Sequence, residues 1–212
     1  MKHYKLIIWD WNGTLCDDIG VSLECVNRQL GRKGMAPISL EQYYSYVDTP
    51  ITKFYEHLFD PGSIPYSEIS KEFAEDYLDQ ADELKLNDGA KDLLDAFREA
   101  GSAQIIASAS DLQSVLRDVK RLGVGDYFKD IITVKDSVAG SKESIISEYI
   151  SRFGCAPDEV LLIGDTLHDA SNAVKLGLDY VITCQGHQSA KEFGPAGIKY
   201  VGSLTELREE IK

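Results

Sequence analysis

At 212 residues the chain has room for one sizeable domain, or for a core domain carrying a smaller inserted module. With 43% hydrophobic and 27% charged residues its composition excludes a disordered chain, and a net charge of −13 speaks against nucleic acid as a partner, because phosphate backbones call for basic patches. The same acidity means that an anionic ligand would need cations concentrated locally, as a divalent metal and a well-placed lysine provide.

The chain opens on a short apolar run, Leu6-Ile7-Ile8-Trp9, which reads as a buried strand and is too short for a signal peptide or a membrane span. Cys16, Cys25, Cys155 and Cys184 show neither CxxC spacing nor clustered histidines, so reduced thiols are expected, and with them a cytoplasmic location and no membrane partner. Residues 17–82 then break the strand-helix rhythm. Val21, Val26 and Leu30 suggest one helix, Ser39 with Gln42 caps a second, residues 69–81 suggest a third, and Phe59-Asp60-Pro61-Gly62 is a turn. An all-helical insert directly after the first strand predicts a cap over residues 17–82, with residues 1–16 and 83–212 forming the core domain.

From there strands and helices alternate. Strands are expected over 103–107, 131–134, 160–163 and 180–183, and helices over 89–100, 111–122, 144–153 and 169–176, most of them stopped by a glycine. Ser203-Leu204-Thr205-Glu206 reads as a capping box opening a last helix. The pattern predicts an α/β fold, a doubly wound, Rossmann-like parallel sheet with helices on both faces.

In open parallel sheets ligands bind outside the carboxyl ends of the strands, so the residues following each strand carry the chemistry. Asp10-Trp11-Asn12-Gly13-Thr14-Leu15 follows the first, Ser108-Ala109-Ser110 the second, and Gly164-Asp165-Thr166-Leu167-His168-Asp169 the fourth, while Lys142 opens the helix after the third. Aspartate and serine at strand ends are commonly turn formers or caps, but that reading does not explain several such sites in register. Three carboxylates without histidine partners suit a hard cation such as Mg²⁺. The cation and Lys142 would neutralise a phosphoryl group, Ser108 would hydrogen-bond one of its oxygens, and a carboxylate would be free to act as nucleophile. Gly13 would let the backbone approach the phosphate.

Asp10-x-Asn12-Gly13-Thr14-Leu15, then Ser108, then Lys142, then Gly164-Asp165-x-x-x-Asp169, resembles the four ordered motifs of the haloacid dehalogenase superfamily. The helical insert and the stretch from Asp165 through Ala173, Leu176 and Gly177 are similar to the phosphoglycolate phosphatase-like branch. The resemblance implies Asp10 as nucleophile and metal ligand, and Asp165 and Asp169 as further ligands of Mg²⁺, joined by the backbone carbonyl of Asn12. It implies that Thr14, Ser108, Ala109 and Lys142 contact the phosphoryl group of a small phosphorylated metabolite, with Lys142 bridging phosphate and nucleophile.

The sequence departs from that pattern at Asn12, where these phosphatases have a second aspartate that works as general acid and base. An amide cannot give a proton to a leaving alkoxide, and such assistance is worth about 10²- to 10⁴-fold. One reading is a phosphatase for acyl or aryl phosphates, whose leaving groups need little protonation. A second is carbon–phosphorus cleavage, since Asp10-Trp11-Asn12-Gly13-Thr14 is similar to the phosphonoacetaldehyde hydrolase signature and Lys53 stands where a Schiff-base lysine would be sought, although an exposed helix lysine is the commoner reading of Lys53. A third is a poorly catalytic protein that binds metal and phosphate, and a fourth is deamidation at Asn12-Gly13. Asp17 or Asp18 caps the first insert helix or lines the pocket. Trp11 faces either cap or substrate, Tyr43, Tyr44 and Tyr46 pack the cap or line its cleft, His168 is expected beside the metal site rather than in it, and His187 on a surface loop or at the pocket rim. Oligomeric state is not legible.

Overall fold

The computed structural model describes residues 2–134 and 141–210. Strand β1 (Leu6–Trp9) is followed by a two-residue strand β2 (Cys16–Asp17) and by the helices α1 (Ile19–Arg32), α2 (Leu40–Tyr46), α3 (Thr52–Glu56) and α4 (Tyr66–Asp79). A second two-residue strand, β3 (Lys85–Leu86), pairs antiparallel with β2 and brings the chain back beside its point of departure. Then come α5 (Ala90–Glu99), β4 (Ala103–Ser108), α6 (Leu112–Arg121), β5 (Asp130–Thr133), α7 (Lys142–Phe153), β6 (Val160–Gly164), α8 (Leu167–Leu176), β7 (Asp179–Thr183), α9 (Ala190–Phe193), β8 (Tyr200–Val201) and α10 (Leu204–Glu210).

The six strands of the main sheet run in the order β5-β4-β1-β6-β7-β8, with every neighbouring pair parallel. β1 lies between β4 and β6, and all of its residues are fully buried, which is why an unbroken apolar run occurs there. Its alternation still serves two cores. Ile7 and Trp9 pack with Leu93, Leu94, Phe97 and Leu207 on one face, and Leu6 and Ile8 with Ile146, Tyr149 and Ala173 on the other. The Trp9 indole donates to Gln104 Oε1 at 2.9 Å, and Gln104 donates in turn to Leu94 O at 2.8 Å, so the polar atoms beside β1 are satisfied.

The helices between β2 and β3 form a cap region with an apolar cluster of their own, built on Val26, Leu30, Tyr43, Phe54, Tyr55 and Ile69. Tyr43, Tyr46, Phe54 and Tyr55 meet edge-on, with centroids 5.2 to 6.4 Å apart. The capping box at Ser39 and Gln42 forms as expected. Helix α4 starts at Tyr66, three residues earlier than the apolar periodicity suggests, because Pro65 cannot continue a helix backwards but readily precedes one. The short β8 and α9 have too few apolar residues to stand out in sequence. Among the described residues, no helix is long and apolar enough to cross a membrane.

Candidate active site

The chain leaves β1 to one side for β4 and β5 and returns to the other for β6, so the crevice at the carboxyl ends of β1 and β6 is where the winding reverses. Asp10 sits at the end of β1, its backbone N–H donating to Ile163 O at 2.9 Å, and Asp165 follows the end of β6. Asp169 stands in the first turn of α8, whose N-cap Thr166 accepts from the Asp169 N–H while the Asp169 carboxylate accepts from Thr166. Oxygens of Asp10, Asp165 and Asp169 lie within 4.8 Å of one another, the only such cluster among the described residues.

Lys142, the first residue of α7, reaches this cluster with its ammonium 2.5 Å from Asp10 Oδ1 and 2.7 Å from Asp169 Oδ1. The Thr14 hydroxyl lies between Asp10 Oδ2 at 3.2 Å and Asp165 Oδ1 at 3.0 Å. Ser108 is buried at the end of β4 and its Oγ accepts from the Ser110 N–H at 3.0 Å, while Ala109 is exposed beside it. Gly13, with φ +74°, passes so close to Asp165 that a Cβ would come within 2.2 Å of Oδ2, and a Cβ on Gly186 would come within 2.1 Å of the same atom. Asp165 is therefore gripped between two glycines, and close approach to this carboxylate is the physical reason for both of them.

The cluster extends beyond the four motifs to Asp18, Tyr77 and His187. Asp18, which the sequence reads as a cap of α1 or a pocket residue, is buried at the start of α1 and caps none of its N–H groups, accepting from that helix only the Ser22 hydroxyl at 3.3 Å. Oδ1 accepts from the Gly13 N–H at 2.8 Å and Oδ2 from Asn12 Nδ2 at 2.7 Å and the Tyr77 hydroxyl at 3.1 Å. Asn12 Oδ1 accepts from Ser110 at 2.7 Å, so both ends of the amide are occupied. His187, expected on a surface loop or at the pocket rim, is largely buried, with Nε2 3.2 Å from Asp18 Oδ1 and Nδ1 2.9 Å from the Tyr43 hydroxyl of α2. Trp11, a candidate for facing substrate, is instead fully buried in the core, because the chain turns at once after β1, with the N–H groups of Leu15 and Cys16 both donating to Trp11 O. His168 is partly buried beside the cluster and outside it. Lys53 is half exposed and pairs with Asp48 at 3.2 Å; no hydrogen bond or ion pair among the described residues joins it to Asp10.

The charges do not balance. Burial raises the Asp10 pKa, with Lys142 opposing, and burial together with Asp10 raises that of Asp165 well above the usual carboxylate range. For Asp169 the same burial is outweighed by Lys142, which keeps it ionised, and Lys142 itself is held charged against burial by Asp10 and Asp169. Burial would likewise raise Asp18, but His187, Asn12 and the Gly13 N–H hold it below its ordinary value. Burial would discharge His187, yet Asp18, with help from Asp165 and Asp10, pushes its pKa up to about 9. Asp10, Asp18, Asp165 and Asp169 thus face Lys142 and His187, two more carboxylates than cations in a largely buried cluster. An all-oxygen donor set with that deficit fits a hard divalent cation.

A family model described as haloacid dehalogenase-like hydrolase matches residues 7–183. Among curated proteins, the chain is similar to a phosphoglycolate phosphatase from Rhodobacter capsulatus, 26% identical over 86% of this chain and 85% of that protein. It is also similar to the tyrosine-protein kinase PtkA of Mycobacterium tuberculosis, 24% identical over 98% of this chain and 72% of that protein. Among solved structures, a haloacid dehalogenase-like family hydrolase from Streptococcus pneumoniae superposes with a TM-score of 0.86 at 18% identity, each chain covered completely.

Proposed function

Because the chain belongs to the haloacid dehalogenase-like hydrolase family, we propose that it is a Mg²⁺-dependent phosphatase that acts on a small phosphorylated metabolite through an aspartyl-phosphate formed on Asp10. The observation that carries this reading is the buried cluster of Asp10, Asp165 and Asp169 with Lys142 bonded to two of its members. Asp10, Asp165, Asp169 and the backbone carbonyl of Asn12 would hold the cation, which when bound supplies positive charge to the phosphoryl oxygens. Lys142 adds a second positive charge and opposes the rise that burial imposes on the Asp10 pKa, favouring the carboxylate that attacks. Asp10 Oδ attacks phosphorus, the bond from phosphorus to the leaving oxygen breaks, and water then cleaves the acyl phosphate to return Asp10 and release inorganic phosphate. Thr14 holds the carboxylates of Asp10 and Asp165 apart at fixed spacing, and Ser108 and the backbone at Ala109 face the phosphoryl group.

A proton for the leaving oxygen is scarce. Asn12 has none to give, Asp18 is held ionised, and both ring nitrogens of His187 are committed, to Asp18 and to Tyr43. The substrates favoured are therefore acyl or aryl phosphates, which expel a weakly basic oxygen. With Mg²⁺ supplied, acetyl phosphate and p-nitrophenyl phosphate are expected to turn over on the order of 10²-fold or more faster than glycerol phosphate, and a chelator is expected to abolish all three until Mg²⁺ is returned in excess. A flat rate across leaving groups would contradict the absence of general acid catalysis. Binding of Mg²⁺ and phosphate without hydrolysis of any substrate would favour a binding role instead.

A further inference from the structure

We infer that His187 and Gln188 are positioning residues that couple closure of the cap region to the cation-binding carboxylates. The inference rests on the reading of Asp10, Asp165 and Asp169 as a cation site. These two residues follow β7, and each makes one bond to the elements that carry the carboxylates and one to α2 of the cap region. The His187 backbone N–H donates to Asp165 Oδ2 at 2.6 Å, and its ring meets the Tyr43 hydroxyl at 2.9 Å. Gln188 Oε1 accepts from the N–H of Leu167, two residues before Asp169, at 2.7 Å, and its Nε2 donates to Val47 O, directly after α2, at 3.0 Å. Both side chains are largely or fully buried, Gln188 at 5% exposure.

This arrangement has little slack. Gly186 lies so close to Asp165 that even a Cβ there would clash with the carboxylate, so the loop has no room to move toward it. If α2 lifts away, either the two buried bonds to Tyr43 and Val47 break or the loop follows and releases Asp165 Oδ2 and the Leu167 N–H. Buried hydrogen bonds left unmade are costly, so the closed cap and the ordered carboxylates favour each other. A further link to α2, from Lys191 of α9 to Glu41 at 2.6 Å, is exposed and solvated and should transmit little. Coupling of two sites is reciprocal, so the metal must close the cap to the extent that the closed cap tightens the metal.

The test uses Mg²⁺ alone, with no substrate. Calorimetric titration of the whole chain is expected to show binding that Asp165→Asn removes, and hydrogen exchange of α2 amides is expected to slow when Mg²⁺ is added. In Tyr43→Phe, which removes only the hydroxyl that meets His187, Mg²⁺ affinity should fall about 5- to 10-fold and the Mg²⁺-induced protection of α2 should shrink. Glu41→Gln should change neither. If the wild type binds no Mg²⁺, the cation site and the coupling both fall. If it binds Mg²⁺ with no change in α2 exchange, or if Tyr43→Phe loosens α2 while Mg²⁺ affinity stays at the wild-type value, the coupling alone is overturned and the loop merely holds the cap down.

Discussion

Replacing Asp10 by asparagine will lower turnover by at least about 10³-fold while leaving the fold intact, because the amide keeps the shape of the side chain and loses its nucleophilic oxygen. The sign of the stability change separates this from simple damage. Burial raises the Asp10 pKa above its unfolded value, so its charged form weighs against the native state as pH rises through and beyond the folded pKa. Removing that charge at neutral pH, with no divalent cation present, should leave the melting temperature unchanged or higher, and Lys142 keeps Asp169 as a partner at 2.7 Å. Steady-state kinetics on an aryl phosphate and a melting curve in chelator check both halves. A variant that retains a tenth of wild-type turnover, or that loses activity only because it has unfolded, would count against a nucleophilic Asp10.

The second large effect concerns Asn12. Restoring the aspartate that related phosphatases carry there looks like a repair, yet the single change is expected to harm this protein. Asn12 Nδ2 donates to Asp18 Oδ2 at 2.7 Å, and an aspartate would set two buried carboxylates against each other with no hydrogen between them. Like charges about 4 Å apart repel by roughly 4 kcal/mol at an effective dielectric constant of about 20. Asn12→Asp should therefore lose on the order of 2–4 kcal/mol at pH 8 and gain no activity. The new carboxylate would have a raised pKa, so its penalty is fully present above that pKa and fades as pH falls and one oxygen takes a proton. Melting curves at pH 5 and pH 8 should converge with the wild type at the lower value. Asn12→Asp combined with Asp18→Asn moves the carboxylate from one position to the other, and the double variant should recover stability and speed up substrates with poor leaving groups by about 10²-fold or more. A single Asn12→Asp variant that melts like wild type at pH 8 and gains activity would contradict the pairing of Asn12 with Asp18.

The parts of this site that are legible in sequence are those set by local rules. Leu6-Ile7-Ile8-Trp9 is buried on both faces and reads as a central parallel strand, and Asp10 is the residue that must emerge at its carboxyl end. Asp165 and Asp169 are fixed by the strand-to-helix transition between β6 and α8, and Lys142 by the N-terminus of α7. What is not legible depends on partners remote in the chain. His187 belongs to the site because it meets Asp18 and Tyr43, residues 169 and 144 positions away, and no periodicity reports such a meeting. Asp18 reads in sequence either as a helix cap or as a pocket residue, and only the bonds from Asn12 and Gly13 to its carboxylate decide between them. Trp11 misleads for the opposite reason, since alternation along a strand stops at the first turn and the indole folds back into the core. The cap helices announce themselves through Ser39, Gln42 and their apolar spacing, whereas the shape of the cleft they close over depends on packing among Tyr43, Phe54 and Tyr55 that no single residue encodes.

The central claim, that Asp10 is phosphorylated in turnover, is tested most directly by rapid acid quench of the protein mixed with Mg²⁺ and ³²P-labelled acetyl phosphate. The label is expected on the peptide containing Asp10, stable in acid and released by hydroxylamine, and absent from Asp10→Asn and from samples quenched in chelator. Hydrolysis at full rate with no labelled peptide, or with the label on any other residue, would contradict it.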